Sequence, residues 1–180
     1  KGKNIFYDKN GSNKLSATAY RFITGILYRG QDICLTMNPS VNAYRRLDPA
    51  FEAPNEIKMS ATDRGSMVRI PIGNENSARI EVRTVAPDAN PYLCYYTLLK
   101  AGLEGMQAPP AQLKKMEAAV YKDAPEKLPS DIYGALANFE KSDFMKKTLG
   151  AGNHAKYSGL KRMAADRSPR LLGTRIKSSE

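Results

Sequence analysis

At 180 residues, with 42% hydrophobic and 26% charged side chains, the chain has the composition of an ordinary globular protein with one sizeable core, in one domain or at most two. No apolar run approaches the roughly 18–20 residues that a membrane-spanning helix needs, and no basic-then-apolar leader opens the sequence. The formal net charge of +10 raises nucleic-acid binding, but the charge is scattered in pairs (Arg45-Arg46, Lys114-Lys115, Lys146-Lys147, Lys161-Arg162) and thickens only in the tail, so neither nucleic acid nor membrane is expected as a partner.

Cys34 and Cys94 lie far apart in apolar neighbourhoods and lack metal-ligand spacing, which predicts two buried, reduced thiols and suits the cytoplasm. Lys1 opens the sequence in mid-segment, so a piece of a longer polypeptide is expected.

The opening, 2–14, is polar and reads as a loop with a short strand at 4–7. Ser16 is the expected N-cap of a helix whose buried face is Ala19, Phe22, Ile23, Ile26 and Leu27, with Gly30 as its stop or break. Residues 37–54 carry three prolines and read as a long ordered loop, a rarity that points to function. Period-two alternation then predicts strands over 57–61, 67–70 and 78–84. Asn90-Pro91 opens a helix that runs to Gly102 or Gly105 and is apolar almost all round, as a core helix would be. Further helices are expected over 112–121, 130–141 and 154–166, the last bearing His154 as a surface residue. Strands first and helices afterwards give an α+β class, with antiparallel strands followed by packed helices.

The chemistry gathers between positions 45 and 83. Six arginines (Arg45, Arg46, Arg64, Arg69, Arg79, Arg83) stand there against a single lysine, Lys58, while lysine predominates elsewhere. The guanidinium fork grips carboxylates and phosphates bidentately, so the bias points to anionic substrates held in fixed geometry. In Ala78-Arg79-Ile80-Glu81-Val82-Arg83, alternation places Ile80 and Val82 on the core side and Arg79, Glu81 and Arg83 together on the other. That face reads either as a solvated salt-bridge ladder or as a site floor where one carboxylate holds a divalent cation beside anion-binding arginines.

The order of the motifs carries a resemblance. Asn38-Pro39-Ser40-Val41-Asn42-Ala43-Tyr44-Arg45-Arg46-Leu47 resembles the NPxxNSYKRL segment of glutamine synthetases, and Phe51-Glu52-Ala53-Pro54 is similar to their YEAP flap. Asp63-Arg64-Gly65-Ser66-Met67-Val68-Arg69-Ile70-Pro71 looks like the NRSxxxRIP strand. Ala78 to Arg83, Asp88 and Asn90-Pro91-Tyr92-Leu93 match RIEVR…D…NPYL, and Gly2-Lys3-Asn4-Ile5-Phe6-Tyr7-Asp8 resembles the stretch after the catalytic HxS segment. The resemblance covers residues 1–150 well and 151–180, a basic helical tail, only loosely. It implies an incomplete domain, the C-terminal part of the catalytic domain.

Carried over by position, the resemblance implies the following roles. Arg46 binds the α-carboxylate of glutamate, and Arg83 contacts the substrate carboxylate or the transferring phosphate. Arg64 stabilises that phosphate and, with Arg69 and Arg79, engages ATP. Glu81 is one ligand of a Mg2+ or Mn2+ ion. Glu52, on a mobile flap, helps to bind and deprotonate the ammonium. The implied activity is ATP-dependent ligation of ammonia to glutamate through γ-glutamyl phosphate, in a homo-oligomeric ring. The alternatives are a γ-glutamyl ligase for a polyamine or other amine, and an inactive family member. Most metal ligands and much of the ATP pocket are expected upstream of Lys1, so the 180-residue chain alone is expected to be inactive. Two departures stand out: the segment before Arg79 is one residue short, and Asp63 stands where the family usually has Asn. Tyr121 falls near a tyrosine that some bacterial members adenylylate, but in the context Val120-Tyr121-Lys122-Asp123 it reads as an ordinary surface residue.

Overall fold

The computed structural model describes residues 2–48 and 53–177, with side chains as far as Arg167. Its first helix, α1 (Ala17–Tyr28), starts at the expected cap: the Ser16 hydroxyl accepts from the Ala19 N–H at 3.2 Å and donates to the Ile5 carbonyl at 2.6 Å. Upstream of it the expected strand is reduced to a single bridge between Tyr7 and Leu15. The helix ends in a break beside Gly30, as expected. The chain breaks at Arg29 (φ −97°, ψ 7°), and Gly30 opens α2 (Gly30–Met37), where a side chain would crowd Met67 and Ile57.

Arg29 fastens this break. Its guanidinium makes two 2.7 Å bonds to Glu104 and one of 3.1 Å to Asp32, and it lies between the rings of Tyr28 and Phe144 at 4.9 and 4.7 Å. Burial alone would lower its pKa, but the two carboxylates turn the net shift upward.

Helix α4 (Pro91–Gln107) begins as expected, with Asn90 accepting from the Leu93 N–H at 3.1 Å and proline in the first turn. It crosses α1 backbone to backbone. A Cβ on Gly25 would strike the Ala101 carbonyl, one on Gly105 would strike the Arg21 carbonyl, and one on Gly102 would strike the Phe22 ring. The helix is not buried all round, however. Only one side meets α1 and α2, while Tyr92 (86% exposed), Tyr95, Leu99 and Leu103 face outward.

The expected loop over 37–54 contains α3 (Val41–Arg45), capped by Ser40, whose hydroxyl accepts from the Ala43 N–H at 3.3 Å. Three strands follow in the spatial order β1 (Glu56–Ser60), β2 (Ser66–Arg69), β3 (Glu81–Val82). The class is α+β, but the sheet is mixed rather than antiparallel: β2 and β3 run antiparallel, while β1 and β2 run parallel with Glu56 beside Ser66 and Ser60 beside Arg69. The short link 61–65 suffices for this. Returning along β1 takes about 13 Å at ~3.3 Å per residue, and six Cα steps reach up to about 20 Å.

Beyond the sheet come α5 (Pro110–Val120), α6 (Ile132–Lys141), α7 (Asp143–Leu149) and α8 (Ala151–Lys177), with Gly150 (φ 76°) making the turn into α8. Helix α7 was not anticipated; Ser142 caps it, accepting from the Met145 N–H at 3.1 Å. His154 is buried at 6% exposure rather than on the surface. It stacks on Phe139 at 4.6 Å, and its Nε2 lies 2.8 Å from the Phe139 carbonyl, which pins α8 to α6. Both cysteines are free and buried as expected, and burial pushes the Cys34 thiol up to about 12. No helix among the described residues is long and apolar enough to cross a membrane.

The α1–α4 crossing generates a direct test. Gly105→Ala forces the helices apart and is expected to destabilise the chain by about 3 kcal/mol or more, in the upper range of overpacking penalties. Gly152→Ala in α8, where a Cβ meets nothing within 4 Å, is expected to be neutral or to stabilise by up to about 1 kcal/mol. Urea unfolding of both variants measures the contrast.

Candidate active-site face

The strand pair β2–β3 builds the face. Its register sets Val68 opposite Val82 and Arg69 opposite Glu81. In an antiparallel pair, opposed side chains project to the same side, so one side carries the valines and the other carries the charges. Ile80 and Val82 pack against the core, as the alternation predicts. On the charged side the Glu81 carboxylate is held at both oxygens. Arg69 reaches Oε2 at 3.1 Å and Arg79 reaches Oε1 at 3.0 Å.

Arg83 continues the same row and donates to the backbone carbonyl of Arg64, tying the β1–β2 turn to β3. Arg46, at the end of α3, donates to the Thr84 carbonyl at 2.8 Å. Its pKa is lowered, first by partial removal from water and then by the neighbouring Arg83 charge; Asp88 pulls the other way and offsets only part of this. Two guanidiniums that repel each other in this way would be relieved by an anion between them. Arg64 itself sits exposed on the turn.

The structure therefore brings together Arg46, Arg64, Arg69, Arg79, Glu81 and Arg83, drawn from α3, the β1–β2 turn and the β2–β3 pair. Glu52 lies outside the described residues, and with it the expected motion of its flap. Arg69 and Arg79 are 49% and 57% exposed, and five clefts among the described residues are lined by other side chains. One of those clefts, about 590 Å³ and lined by Lys3, Asn4, Tyr7, Asp8, Lys9, Ser16 and Glu75, adjoins the face: Asn4 Nδ2 donates to the carbonyl of Ala78, next to Arg79, at 2.8 Å.

Two participants escaped sequence reasoning. Asp88 was visible as a motif position, but its proximity to Arg46 depends on how the chain turns between β3 and α4. Lys58 counted as one more cation, yet its ammonium is taken up by Glu56 and Asp63. No sequence signal announces that contact. Tyr121 also differs from a free surface tyrosine, because its hydroxyl lies 2.8 Å from Thr24 Oγ1, and burial raises its pKa.

A hard divalent cation takes about six oxygen ligands. Among the described residues no group of three or more His, Cys, Asp or Glu could hold a metal, so these residues supply no complete site around Glu81.

Strands, helices and charges together define an α+β chain that presents an arginine-rich face around a paired carboxylate. The family model for the glutamine synthetase catalytic domain matches residues 1–171, and the chain belongs to that family. Glutamine synthetases of Methanosarcina mazei and Clostridium saccharobutylicum are 36% and 35% identical to it over 173 and 164 residues, covering 92% and 87% of this chain. That of Staphylococcus aureus is 37% identical over 163 residues, 86% of the chain. A solved GmaS/ADP complex superposes with a TM-score of 0.72 at 31% identity, over 93% of this chain and 40% of its own. The chain spans 36–39% of the length of these three relatives.

With no cluster of carboxylates around Glu81 among the described residues, the 180-residue chain is expected to bind Mn2+ only weakly, with no saturable site below about 1 mM, a level at which even loose protein sites for hard cations operate. Water-proton relaxation during a Mn2+ titration measures this, and a micromolar site abolished by Glu81→Ala would show a complete site within the chain.

Proposed function

We propose that this chain is the C-terminal part of the catalytic domain of a glutamine synthetase, and that the full-length protein joins ammonia to the γ-carboxylate of glutamate through γ-glutamyl phosphate at the expense of ATP. The observation that carries the reading is the paired carboxylate: Glu81 held between Arg69 and Arg79, with Arg46 and Arg83 alongside. The glutamine synthetase relatives and the ADP-bound structural neighbour support it.

The chemistry needs these residue types. A phosphoryl group must pass from one polyanion to another, so positive charge has to offset both the repulsion and the charge that develops in transfer. Arg46 takes the α-carboxylate of glutamate, its position fixed by the Thr84 carbonyl. Arg83 and Arg64 bracket the γ-carboxylate and the transferring phosphate. Arg69 and Arg79 turn to the nucleotide phosphates. Glu81 would supply one ligand to a Mg2+ or Mn2+ ion, which would offset phosphate charge when bound, and further ligands would come from outside the described residues. Glu52 acts as the lid carboxylate that binds the ammonium, takes its proton and keeps water from the acyl phosphate. The complete protein is a ring of identical subunits in the cytoplasm.

A γ-glutamyl transfer assay with hydroxylamine, ATP and Mg2+ tests the reading, with ammonia and polyamines as parallel acceptors. The full-length protein is expected to turn over and to prefer ammonia, and the 180-residue chain to show none. In the full-length protein Arg46→Lys, which loses the bidentate fork, is expected to raise the KM for glutamate about tenfold, a loss of about 1.4 kcal/mol. Turnover by the chain alone, or a full-length protein that forms no γ-glutamyl product with any amine, contradicts the reading.

A further inference from the structure

Lys58 is the one lysine among the arginines of the site segment, and its surroundings differ from theirs. Its ammonium lies against Glu56 Oε2 and 2.7 Å from Asp63 Oδ2, so it has no free charge to offer a substrate without breaking both contacts. Asp63 is equally occupied: its other oxygen, Oδ1, accepts from the Gly65 N–H at 2.7 Å. These two residues bracket Arg64.

The rest of the turn is held just as closely. Ser60 Oγ accepts from the N–H groups of Thr62 and Asp63 at 3.2 and 2.9 Å. The Gly65 carbonyl accepts from the Glu56 N–H at 3.0 Å, and the Arg64 carbonyl accepts from Arg83. Backbone groups on both sides of Arg64 are therefore fixed, and among these contacts the ionic tie from β1 to the turn that does not run through a site arginine is Lys58 to Asp63. At 29% and 46% exposure this pair contributes little to global stability, about 0–1 kcal/mol. Its effect is local: it confines a five-residue link that would otherwise sample many shapes.

We infer that Lys58 is a positioning residue, which through Asp63 locks the 60–65 turn in the shape that presents Arg64 to the transferring phosphate. The inference rests on the proposed function for Arg64's role, but not for the clamp itself. The two can be separated experimentally. Lys58→Met removes the charge, and Asp63→Ser keeps an oxygen acceptor near the Gly65 N–H while losing the ion pair, whereas Asp63→Asn would only restore the residue usual in the family. Lys58→Arg keeps the charge.

Hydrogen exchange read by mass spectrometry on the 180-residue chain is expected to speed up about tenfold at amides 62–65 in Lys58→Met and Asp63→Ser, with α1 and α4 unchanged. In the full-length protein both variants are expected to lose about tenfold in kcat, with the KM for glutamate within twofold; displacements of about 1 Å have effects of this size or larger. Lys58→Arg should retain wild-type behaviour in both measurements. Unchanged exchange at 62–65, or unchanged kcat in Lys58→Met where Arg64→Ala is impaired, overturns the positioning role and leaves the proposed function standing. Unchanged kcat in Arg64→Ala overturns the function assigned to Arg64, while the exchange data still decide the clamp.

Discussion

Backbone contact between α1 and α4 at Gly25 and Gly105 is the constraint on which the rest of the architecture depends. Repulsion at such distances rises steeply, so no side chain larger than hydrogen fits and the two axes have one allowed separation. From that crossing the geometry passes to the site by short steps. Arg29, at the end of α1, grips Glu104 on α4 and orients α2. The last residue of α2, Met37, accepts the Ala86 N–H through its carbonyl at 2.9 Å and meets the Thr84 hydroxyl at its sulfur at 3.5 Å. Thr84 in turn receives Arg46. A strand of only two residues is thus held in place by helices, not by its own ladder.

The electrostatics of the face suit a site that has to let go. Glu81's partners are half exposed, and ion pairs in that setting are worth about 0–1 kcal/mol. Under the proposed function, Arg69 and Arg79 would exchange a carboxylate for a phosphate without a large penalty, and Glu81 would exchange guanidiniums for a metal ion. Arg46 and Arg83 are different, since their mutual repulsion has no full internal remedy and favours a bound anion. Lysines would supply the same charge without the fixed fork that sets the direction of each contact. Where a lysine does appear, at position 58, it is paired with the Glu56 and Asp63 carboxylates.

Local signals were legible and long-range ones were not. Ser16 and Asn90-Pro91 capped the helices where the sequence placed them, because a cap is a contact between near neighbours. Alternation put Glu81 and Val82 on opposite sides for the same reason. Strand direction was misjudged because a five-residue link can return parallel as well as turn antiparallel, and nothing in its composition decides which. The break beside Gly30 was legible, but the close approach of Met67 and Ile57 to it from the sheet was not, because those residues are distant in sequence. His154 read as a surface residue because its stacking partner Phe139 lies on another helix. The arginine face could be located from residue type and spacing, but its openness depends on atoms that no pattern in these 180 residues describes.

The most direct measurement of the central claim is a crystal structure of the full-length protein with ADP and Mn2+, with the metal positions fixed by anomalous scattering. The account predicts a manganese ion with a Glu81 carboxylate oxygen at about 2.0–2.3 Å, spanning the distances of small hard-cation sites, and Arg69 and Arg79 turned from Glu81 onto the phosphates. Glu81 still paired to both arginines, with every metal ion beyond about 5 Å and so outside any coordination shell, would contradict it.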